Sequence, residues 1–387
     1  MSIEISSRIK RFPPYLFFEL DKKKNALLEQ GYKIIDLGVG DPDIKCPASL
    51  IEIIYQESKK KENQKYAFDK GDETLRNSIC RWMKRRFNVN LDPQKEILPL
   101  IGSKEGIVHF PLGILNKGDL ALVPNPCYPP YRSAVLFCEA QFIDLPLKEE
   151  DNFLPQITQL PSDILNKTKI LFLNYPNNPT SFCANKEFLQ EVVNLGLKYN
   201  FVIVYDNAYS EIYFDSPPLS ILEIEGAKQI CIEFHSFSKT FCMTGFRLGW
   251  ACGNQDLINL LLKIKSNIDS GIFTPIQKGG AYLLDNEQEF IQNLRNTFLK
   301  RRNLFIEGLK KIGLQIYDGK ATFYLWVKTP KKISSTEFTN LLLEEAKVLT
   351  TPGRGFGEYA DNFIRISLTQ DTPLLQEALE RISKINF

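Results

Sequence analysis

Apolar segments of strand length alternate with helical stretches in the middle of this 387-residue chain, and this alternation limits the possible folds more than any other feature. Helical stretches such as 72–87 and 185–199 separate the segments. Short apolar strands alternating with helices are typical of a mostly parallel sheet that is covered by helices on both faces. The predicted strands are 96–101, 120–123, 169–174, 201–205, 230–234 and 247–252.

The chain changes character after about residue 253. Two long helical stretches, 255–269 and 275–312, precede predicted strands at 322–327 and 363–367 and a terminal helix. This order predicts a second, smaller α+β domain. We therefore expect an N-terminal segment that packs with the small domain, then a large domain, then the small C-terminal domain. Their predicted limits are 1–46, 47–285 and 286–387.

Composition and charge argue against several classes of function. The net charge is +2 and the charges are interspersed, so we do not expect a nucleic acid as a partner. The eight cysteines form no C-x-x-C pair and there are only two histidines, so no metal site is expected. The N-terminus lacks the apolar core of a signal peptide and no apolar run has the length of a membrane span. A cytoplasmic location is therefore expected.

The segment 236–247 carries the side chains that most directly suggest chemistry. The hydroxyls of Ser236 and Ser238, the primary amine of Lys239 and the guanidinium of Arg247 all follow a predicted buried strand. A lysine can form a Schiff base with a phosphorylated aldehyde while hydroxyls and a guanidinium bind the phosphate. An ordinary basic turn is the structural alternative.

Three turns upstream also follow predicted strands. The turn 102–106 opens a helix whose first backbone N–H groups could bind a phosphate. The turn lacks the spacing of a Walker loop, and the packing of a helix against a strand explains many turns of this kind. In the loop 174–180, two prolines aim the amide of Asn178 across the strand ends, although Asn-Pro also occurs in plain turns.

Asp206 ends a buried strand, where a protonated pyridine would be a suitable partner and Tyr209 could bind the ring hydroxyl. A helix N-cap is the alternative role for Asp206.

Taken in chain order, these features closely resemble the fold-type I pyridoxal-phosphate aminotransferases of class I/II. The resemblance implies an α/β fold, the cofactor pyridoxal 5′-phosphate and a homodimer with shared active sites. It implies that Lys239 forms the Schiff base, that Asp206 pairs with the pyridinium nitrogen and that Arg365 binds the substrate α-carboxylate. Tyr66 is implied to reach the cofactor phosphate of the other subunit. The remaining implied cofactor ligands are Ser103, Lys104, Ser236, Ser238 and Arg247 at the phosphate, Asn178 and Tyr209 at the ring 3-oxygen, and Tyr128 stacked on the ring.

A closer resemblance, to the LL-diaminopimelate aminotransferases, rests on segments spread along the chain. It implies that Tyr15 and Gly40 contact the substrate. The similarity reaches from Tyr15 to the terminal helix. The segments that carry it are 8–17, 38–41, 236–239, 324–327 and 351–357.

Two positions depart from this family. Ser181 stands where Gly usually follows Asn-Pro-Thr, and His235 stands where Asn often precedes Ser-x-Ser-Lys. Both flank predicted cofactor ligands without replacing them, so we expect them to affect substrate preference or kinetics more than identity. We expect His235 to be a hydrogen-bonded structural residue rather than a catalytic base, because Lys239 already fills that role.

The predicted activity is ping-pong transamination through a Lys239 aldimine, from LL-diaminopimelate to 2-oxoglutarate, in lysine biosynthesis. The expected partners are amino acids and 2-oxo acids, and no membrane partner is expected. An aspartate, alanine or aromatic aminotransferase, or a β-lyase on the same fold, remains an alternative. A transcription regulator built on this fold would need a DNA-binding domain ahead of the first helix, which is expected to start near residue 14. A dinucleotide-binding oxidoreductase would need a G-x-G-x-x-G motif after its first strand, and none is present.

Overall fold

The structure is a computed structural model that describes residues 3–12 and 18–385. Tyr15, which is predicted to contact the substrate, lies outside the described residues. The helices are α1 Ser7–Lys10, α2 Phe18–Glu29, α3 Ala48–Ser58, α4 Glu73–Phe87, α5 Ser103–His109, α6 Pro130–Phe137, α7 Ser162–Lys167, α8 Lys186–Tyr199, α9 Phe237–Thr240, α10 Gln255–Lys265, α11 Thr274–Asn286, α12 Gln288–Lys311, α13 Ser335–Leu341 and α14 Thr372–Ile382. The strands are β1 Ile35–Asp36, β2 Ile97–Leu100, β3 Leu120–Asn125, β4 Gln141–Pro146, β5 Thr168–Asn174, β6 Val202–Asp206, β7 Cys231–Ser236, β8 Gly249–Gly253, β9 Ile316–Tyr317, β10 Tyr324–Lys328, β11 Val348–Leu349, β12 Thr351–Pro352 and β13 Phe363–Ser367.

A seven-stranded sheet forms the centre of the larger part of the molecule, in the order β2-β8-β7-β6-β5-β3-β4. Strand β8 runs antiparallel to both of its neighbours, and the other neighbouring pairs are parallel. Both faces of the sheet are buried: along β5, Leu171 and Leu173 join one apolar cluster, while Ile170 and Phe172 join another. A strand alternates its side chains between the two faces, so a continuous apolar run is what a doubly covered strand requires. The predicted α/β fold with a mostly parallel sheet is confirmed.

The edge strand β4 was not among the predicted strands. Among the described strands it pairs with β3 alone, and its side chains are mostly half-buried or exposed. An edge strand is covered on fewer sides than a central strand, so it does not need the continuous apolar run by which the other strands were predicted. Its sequence, Gln-Phe-Ile-Asp-Leu-Pro, includes two polar residues and a final proline.

The part of the chain after β8 contains a second, antiparallel sheet in the order β12-β13-β10-β9. The short strand β1 pairs in parallel with β11, which attaches the N-terminal segment to this smaller part. The predicted helical stretch 275–312 is two helices, α11 and α12, which meet at Glu287. The domain limits at residues 46 and 285 stay predictions. Among the described residues, no helix combines the length and the apolar character that crossing a bilayer requires.

Candidate active site

The ends of β5, β6 and β7 and the start of α5 open into one cavity of ≈ 840 Å³. Ligands of open α/β sheets bind outside the carboxyl ends of the parallel strands, which is where this cavity lies. Twelve of the fourteen predicted site residues line it. These are Gly40, Ser103, Lys104, Tyr128, Asn178, Asp206, Tyr209, Ser236, Ser238, Lys239, Arg247 and Arg365.

Tyr66 lies elsewhere on the surface. Its side chain is 90% exposed on the loop that precedes α4, and Phe68 is 85% exposed beside it. Large apolar or aromatic side chains exposed together often mark a contact with another protein. The role of Tyr66 in the cofactor site of a second subunit stays a prediction.

Lys239 projects from the four-residue helix α9, just after the end of β7. The Oγ of Ser236 caps this helix by accepting the N–H of Ser238 at 3.2 Å. The Nζ of Lys239 donates to the carbonyl oxygen of Gly40 at 2.6 Å. Burial lowers the pKa of Lys239, an effect that Tyr324 and Asp41 partly oppose. A lowered pKa increases the neutral fraction of the amine, which is the form that reacts with a carbonyl group.

Asp206, at the end of β6, is buried and 4% exposed. Its carboxylate accepts the hydroxyl of Tyr131 at 2.7 Å and the backbone N–H of Ala208 at 3.2 Å. Burial raises the pKa of Asp206 to about 6, despite the lowering effect of those two hydrogen bonds. Among the described residues, no lysine or arginine forms an ion pair with it. A cationic group in the cavity would therefore stabilise the carboxylate strongly.

Two of the residues that organise this strand end were missed by sequence reasoning. Tyr131, on α6, stacks on Phe172 while its hydroxyl donates to Asp206. Asn174 links neighbouring strand ends, because its Nδ2 donates to the carbonyl oxygen of Asp206 and its Oδ1 accepts the N–H of Asn178, both at 2.8 Å. The only available signal was the position of Asn174 at the end of a predicted strand; nothing local marked Tyr131.

Arg365 lies on β13 and is 7% exposed. Its Nη1 donates to Oδ1 of Asn178 and its Nη2 donates to the carbonyl oxygen of Gly38, both at 2.7 Å. The guanidinium carbon lies 4.1 Å from the ring centroid of Tyr324 and 4.8 Å from that of Phe356. Two aromatic rings and two hydrogen bonds thus hold the planar group at the cavity, in the form that suits a carboxylate.

Tyr324 is a further site residue without a predicted role. Its hydroxyl lies 3.0 Å from the hydroxyl of Tyr209, which faces the same cavity. Burial raises the pKa of Tyr209 well above its ordinary value, so Tyr209 remains a neutral hydrogen-bonding group. Gly40 is required beside Tyr324, because a Cβ at position 40 would collide with that hydroxyl.

The side of the cavity beneath α5 is suited to an anion. Gly102 precedes the helix with φ +75°, and an added Cβ there would collide with the guanidinium of Arg247. Gly249 allows β8 to pass close to this turn, because a Cβ at that position would lie 2.6 Å from the backbone nitrogen of Ser103. Because neither glycine has a side chain, the backbone N–H groups at the start of α5 and the guanidinium of Arg247 can lie close together, beside Ser103 and Lys104.

The two residues that depart from the family pattern are both buried. Ser181 has φ +68°, and its Oγ contacts the Oγ1 of Thr322 at 2.6 Å and donates to the carbonyl oxygen of Tyr324 at 2.9 Å. The ring of His235 stacks on Trp250 at 4.6 Å, and its Nε2 lies 2.8 Å from Oε1 of Glu233. These contacts give both side chains a structural role beside the predicted cofactor ligands.

Comparison with known proteins identifies the family of this chain. Residues 32–382 match the family Aminotransferase class I and II. The chain belongs to this family. It is therefore an aminotransferase, with amino acids and 2-oxo acids as the classes of substrate.

Individual relatives agree with this assignment along nearly the whole chain. An LL-diaminopimelate aminotransferase from Aquifex aeolicus is 48% identical over 386 residues, which cover 99% of this chain and 100% of the relative. The structure of substrate-bound BacF from Bacillus subtilis has a TM-score of 0.96 at 33% identity and covers 100% of this chain and 98% of its own. A double mutant of the aspartate aminotransferase from Thermus thermophilus has a TM-score of 0.93 at 26% identity and covers 99% of this chain and 100% of its own. The predicted fold-type I architecture is confirmed.

The family implies pyridoxal 5′-phosphate, and the geometry of the site fits that group. The buried Asp206 carboxylate without a cationic side chain suits a protonated ring nitrogen. The glycine turn at the start of α5 leaves room for a phosphate beside Ser103 and Arg247. Lys239 faces the same cavity with an amine whose pKa is lowered. Each chemical part of the cofactor therefore has a matching group in the cavity.

Proposed function

We propose that the chain is an LL-diaminopimelate aminotransferase that uses pyridoxal 5′-phosphate and passes the amino group to 2-oxoglutarate in lysine biosynthesis. The observation that carries the proposal is that Lys239, Asp206 and Arg365 all face one cavity. The assignment of the donor is supported by the 48% identity to the Aquifex aeolicus relative over nearly the whole chain.

Each of these side chains has a separate task in the proposed reaction. Pyridoxal 5′-phosphate supplies an aldehyde that condenses with amines and a ring that accepts electrons released at the substrate Cα. Arg365 binds the α-carboxylate of the donor through its two terminal nitrogens, in exchange for Asn178 and Gly38. The Nζ of Lys239 would take the proton from the Cα of the donor and pass it to the aldehyde carbon of the cofactor, and in the second half-reaction it would move a proton from that carbon to the 2-carbon of the 2-oxo acid. Asp206 keeps the ring nitrogen protonated through its buried carboxylate.

The lining of the cavity also supports a donor with charges at both ends. Besides the residues assigned above, Asp21, Lys24 and Asp36 line it. Lys24 pairs with Asp36 at 2.5 Å, and the other oxygen of Asp36 accepts the N–H of Gly38 at 2.9 Å. LL-diaminopimelate carries a second ammonium and a second carboxylate at its far end. A site with charged groups of both signs can pair with these distal charges, whereas a short amino acid does not reach such groups.

The test is the specificity constant kcat/KM for LL-diaminopimelate, its meso isomer, aspartate, alanine, glutamate and tyrosine under one set of conditions. We expect kcat/KM to be highest for LL-diaminopimelate. Its advantage over a short donor can approach a factor of about 10⁴, as is found where a site binds polar groups that the poorer substrate lacks. Lys24→Met should lower kcat/KM for LL-diaminopimelate more than for alanine, while the exposed Lys263→Met serves as a control. If aspartate or tyrosine leads by about tenfold or more, the donor assignment is wrong and the aminotransferase assignment remains. Pyruvate and ammonia formed without a 2-oxo acid would indicate a β-lyase.

We also propose a homodimer with shared active sites and a cytoplasmic location. The exposed aromatic side chains of Tyr66 and Phe68 support the dimer, since they extend from the surface of the single chain. Sedimentation of the purified protein at its working concentration tests the oligomeric state. A protein that remains monomeric would contradict the shared site.

A further inference from the structure

Lys265, the last residue of α10, is a buried cation that the proposed reaction does not use. Its side chain is 1% exposed. The Nζ contacts both carboxylate oxygens of Glu105, at 3.1 and 3.2 Å, and both of Asp269, at 2.8 and 2.9 Å. We call these three residues the Lys265 cluster. Buried charges are costly unless they are paired, so removing the lysine would leave two carboxylates facing each other without a cation.

Glu105 connects the Lys265 cluster with the turn that is predicted to bind phosphate. Its Oε2 accepts the backbone N–H of Ile101 at 2.5 Å. Glu105 also follows directly after Ser103 and Lys104 on α5. One carboxylate therefore bonds both the Nζ of Lys265 and the backbone N–H of Ile101, on the other side of the turn.

Asp269 connects the same cluster with a loop on the other side. Its Oδ1 accepts the backbone N–H of Gly271 at 2.8 Å. Gly271 has φ +87°, and a Cβ there would lie 3.1 Å from the Cβ of Ala67 and 3.2 Å from the carbonyl oxygen of Phe68. The loop thus packs directly against the exposed segment that carries Tyr66.

Gln277, on α11, adds a second link between this loop and that segment. It is 1% exposed, its Nε2 donates to the carbonyl oxygen of Ile272 and its Oε1 accepts the N–H of Asp72, both at 2.7 Å. A buried amide with both ends bonded to backbone leaves little freedom to either partner. A continuous set of contacts therefore runs from the Ile101 backbone through Lys265 to the loop at Tyr66.

We propose that Lys265 is a positioning residue that couples the phosphate-binding turn 101–104 to the exposed segment 66–71, so that phosphate binding and subunit association depend on one buried cation. The inference rests on the proposed function, because it takes the turn as the phosphate site and Tyr66 as a residue of the subunit interface. If the cluster only stabilised the fold, its removal would lower the free energy of unfolding and leave both binding constants unchanged.

The experiment tests the contacts of Glu105 and those of Asp269 separately. Glu105→Gln, Asp269→Asn and Lys265→Met are each prepared as cofactor-free protein, with Lys263→Met as the control, because Lys263 is exposed on the same helix. Equilibrium dialysis measures the dissociation constants of pyridoxal 5′-phosphate and of pyridoxal, which lacks the phosphate. Sedimentation measures the dissociation constant of the dimer.

We expect the two carboxylate variants to differ in the constant that they change most. Glu105→Gln should raise the dissociation constant of pyridoxal 5′-phosphate about tenfold, as for one lost charge-assisted hydrogen bond, and leave that of pyridoxal unchanged. Asp269→Asn should raise the dimer dissociation constant by a similar factor of about ten. Lys265→Met should raise both. The control should match the wild type in all three measurements.

Other outcomes overturn the proposal. If Glu105→Gln and Asp269→Asn only lower the urea midpoint while cofactor affinity and association stay at the wild-type values, the cluster is structural alone. A monomeric wild type would also overturn the coupling. If Lys265→Met does not fold, the two carboxylate variants decide, since each removes only one negative charge. Failure of the donor assignment would show as poor turnover of LL-diaminopimelate by the wild type, which leaves these affinity measurements unaffected.

Discussion

Replacing Asp206 by Asn should stabilise the cofactor-free protein and impair the holoenzyme, because one buried charge has opposite effects in the two states. Asp206 is 4% exposed, and burial raises its pKa to about 6 from an ordinary value of 3.8. The cofactor-free fold therefore disfavours the charged carboxylate. When a protonated ring nitrogen is present, the same charge becomes favourable.

The raised pKa of Asp206 determines the direction of the pH dependence. The protonated carboxyl contributes stability that is fully present below pH 3.8 and is lost as the pH rises through about 6. A shift of about two pKa units corresponds to about 3 kcal/mol in the free energy of unfolding. Asn has no titrating proton. Its Oδ1 can accept the N–H of Ala208 while its Nδ2 donates to the hydroxyl oxygen of Tyr131, so the variant should keep this contribution at neutral pH.

The assay is urea unfolding of the cofactor-free wild type and Asp206→Asn, from about pH 4.5 to about pH 7.5. The difference in the free energy of unfolding, in favour of the variant, should grow by about 2 kcal/mol over this range. The exposed Asp256→Asn, at the start of α10, is the matched control and should show no such growth. A difference that does not change with pH would refute burial as the cause of the shift.

The holoenzyme should respond in the opposite direction. Loss of one charge-assisted hydrogen bond to the ring nitrogen should weaken cofactor binding by about 1.5–3 kcal/mol, and the half-reaction with the amino donor should slow. Fluorescence titration and stopped-flow absorbance measure these two quantities. In the described part of the chain no helix begins directly after Asp206, so a half-reaction with the wild-type rate would show that its carboxylate only holds the following turn through the N–H of Ala208.

Three further substitutions test other parts of the site. Lys239→Ala should lower turnover by at least about 10²–10⁴ while the folded protein retains cofactor after dialysis, because the phosphate contacts lie on other residues; normal activity would contradict its assignment. Gly40→Ala should raise KM for the donor, because the added Cβ would displace the hydroxyl of Tyr324; an unchanged KM would show that the turn adjusts freely. Mixing nearly inactive Tyr66→Phe and Lys239→Ala subunits should restore activity at one kind of mixed site, and no recovery after proven subunit exchange would place Tyr66 outside the shared site.

A reactive side chain could be predicted from the sequence where it directly follows an apolar segment of strand length. Asn178, Asp206 and Lys239 all follow apolar runs that had to become buried strands, and parallel strands bring their carboxyl ends to one edge of a sheet. The end of such a strand can be inferred from composition alone. The topology of the parallel sheet then places the side chain that follows the strand at the cavity.

The supporting residues were not predictable because their partners are distant along the chain. Tyr131 lies 75 positions before Asp206, and the hydroxyl of Tyr324 lies 115 positions from its partner on Tyr209. A tyrosine inside an apolar helix or strand has the same local pattern whether its hydroxyl meets solvent or a buried carboxylate. Only the packing of α6 and β10 against β6 and its following loop distinguishes these cases.

The turn at 38–40 explains how two cations can face one cavity before any substrate binds. Its carbonyl oxygens at Gly38 and Gly40 accept from Arg365 and Lys239, at 2.7 and 2.6 Å. The turn is held from the smaller sheet's side, since the hydroxyls of Thr351 and Thr369 donate to Gly38 and Val39, at 2.9 and 2.8 Å. Both cations thus donate to neutral carbonyl oxygens, which compete with the substrate less than a carboxylate would. The carboxylate of a donor can therefore replace the contacts of Arg365 with bonds between opposite charges, and part of its binding energy arises from that exchange.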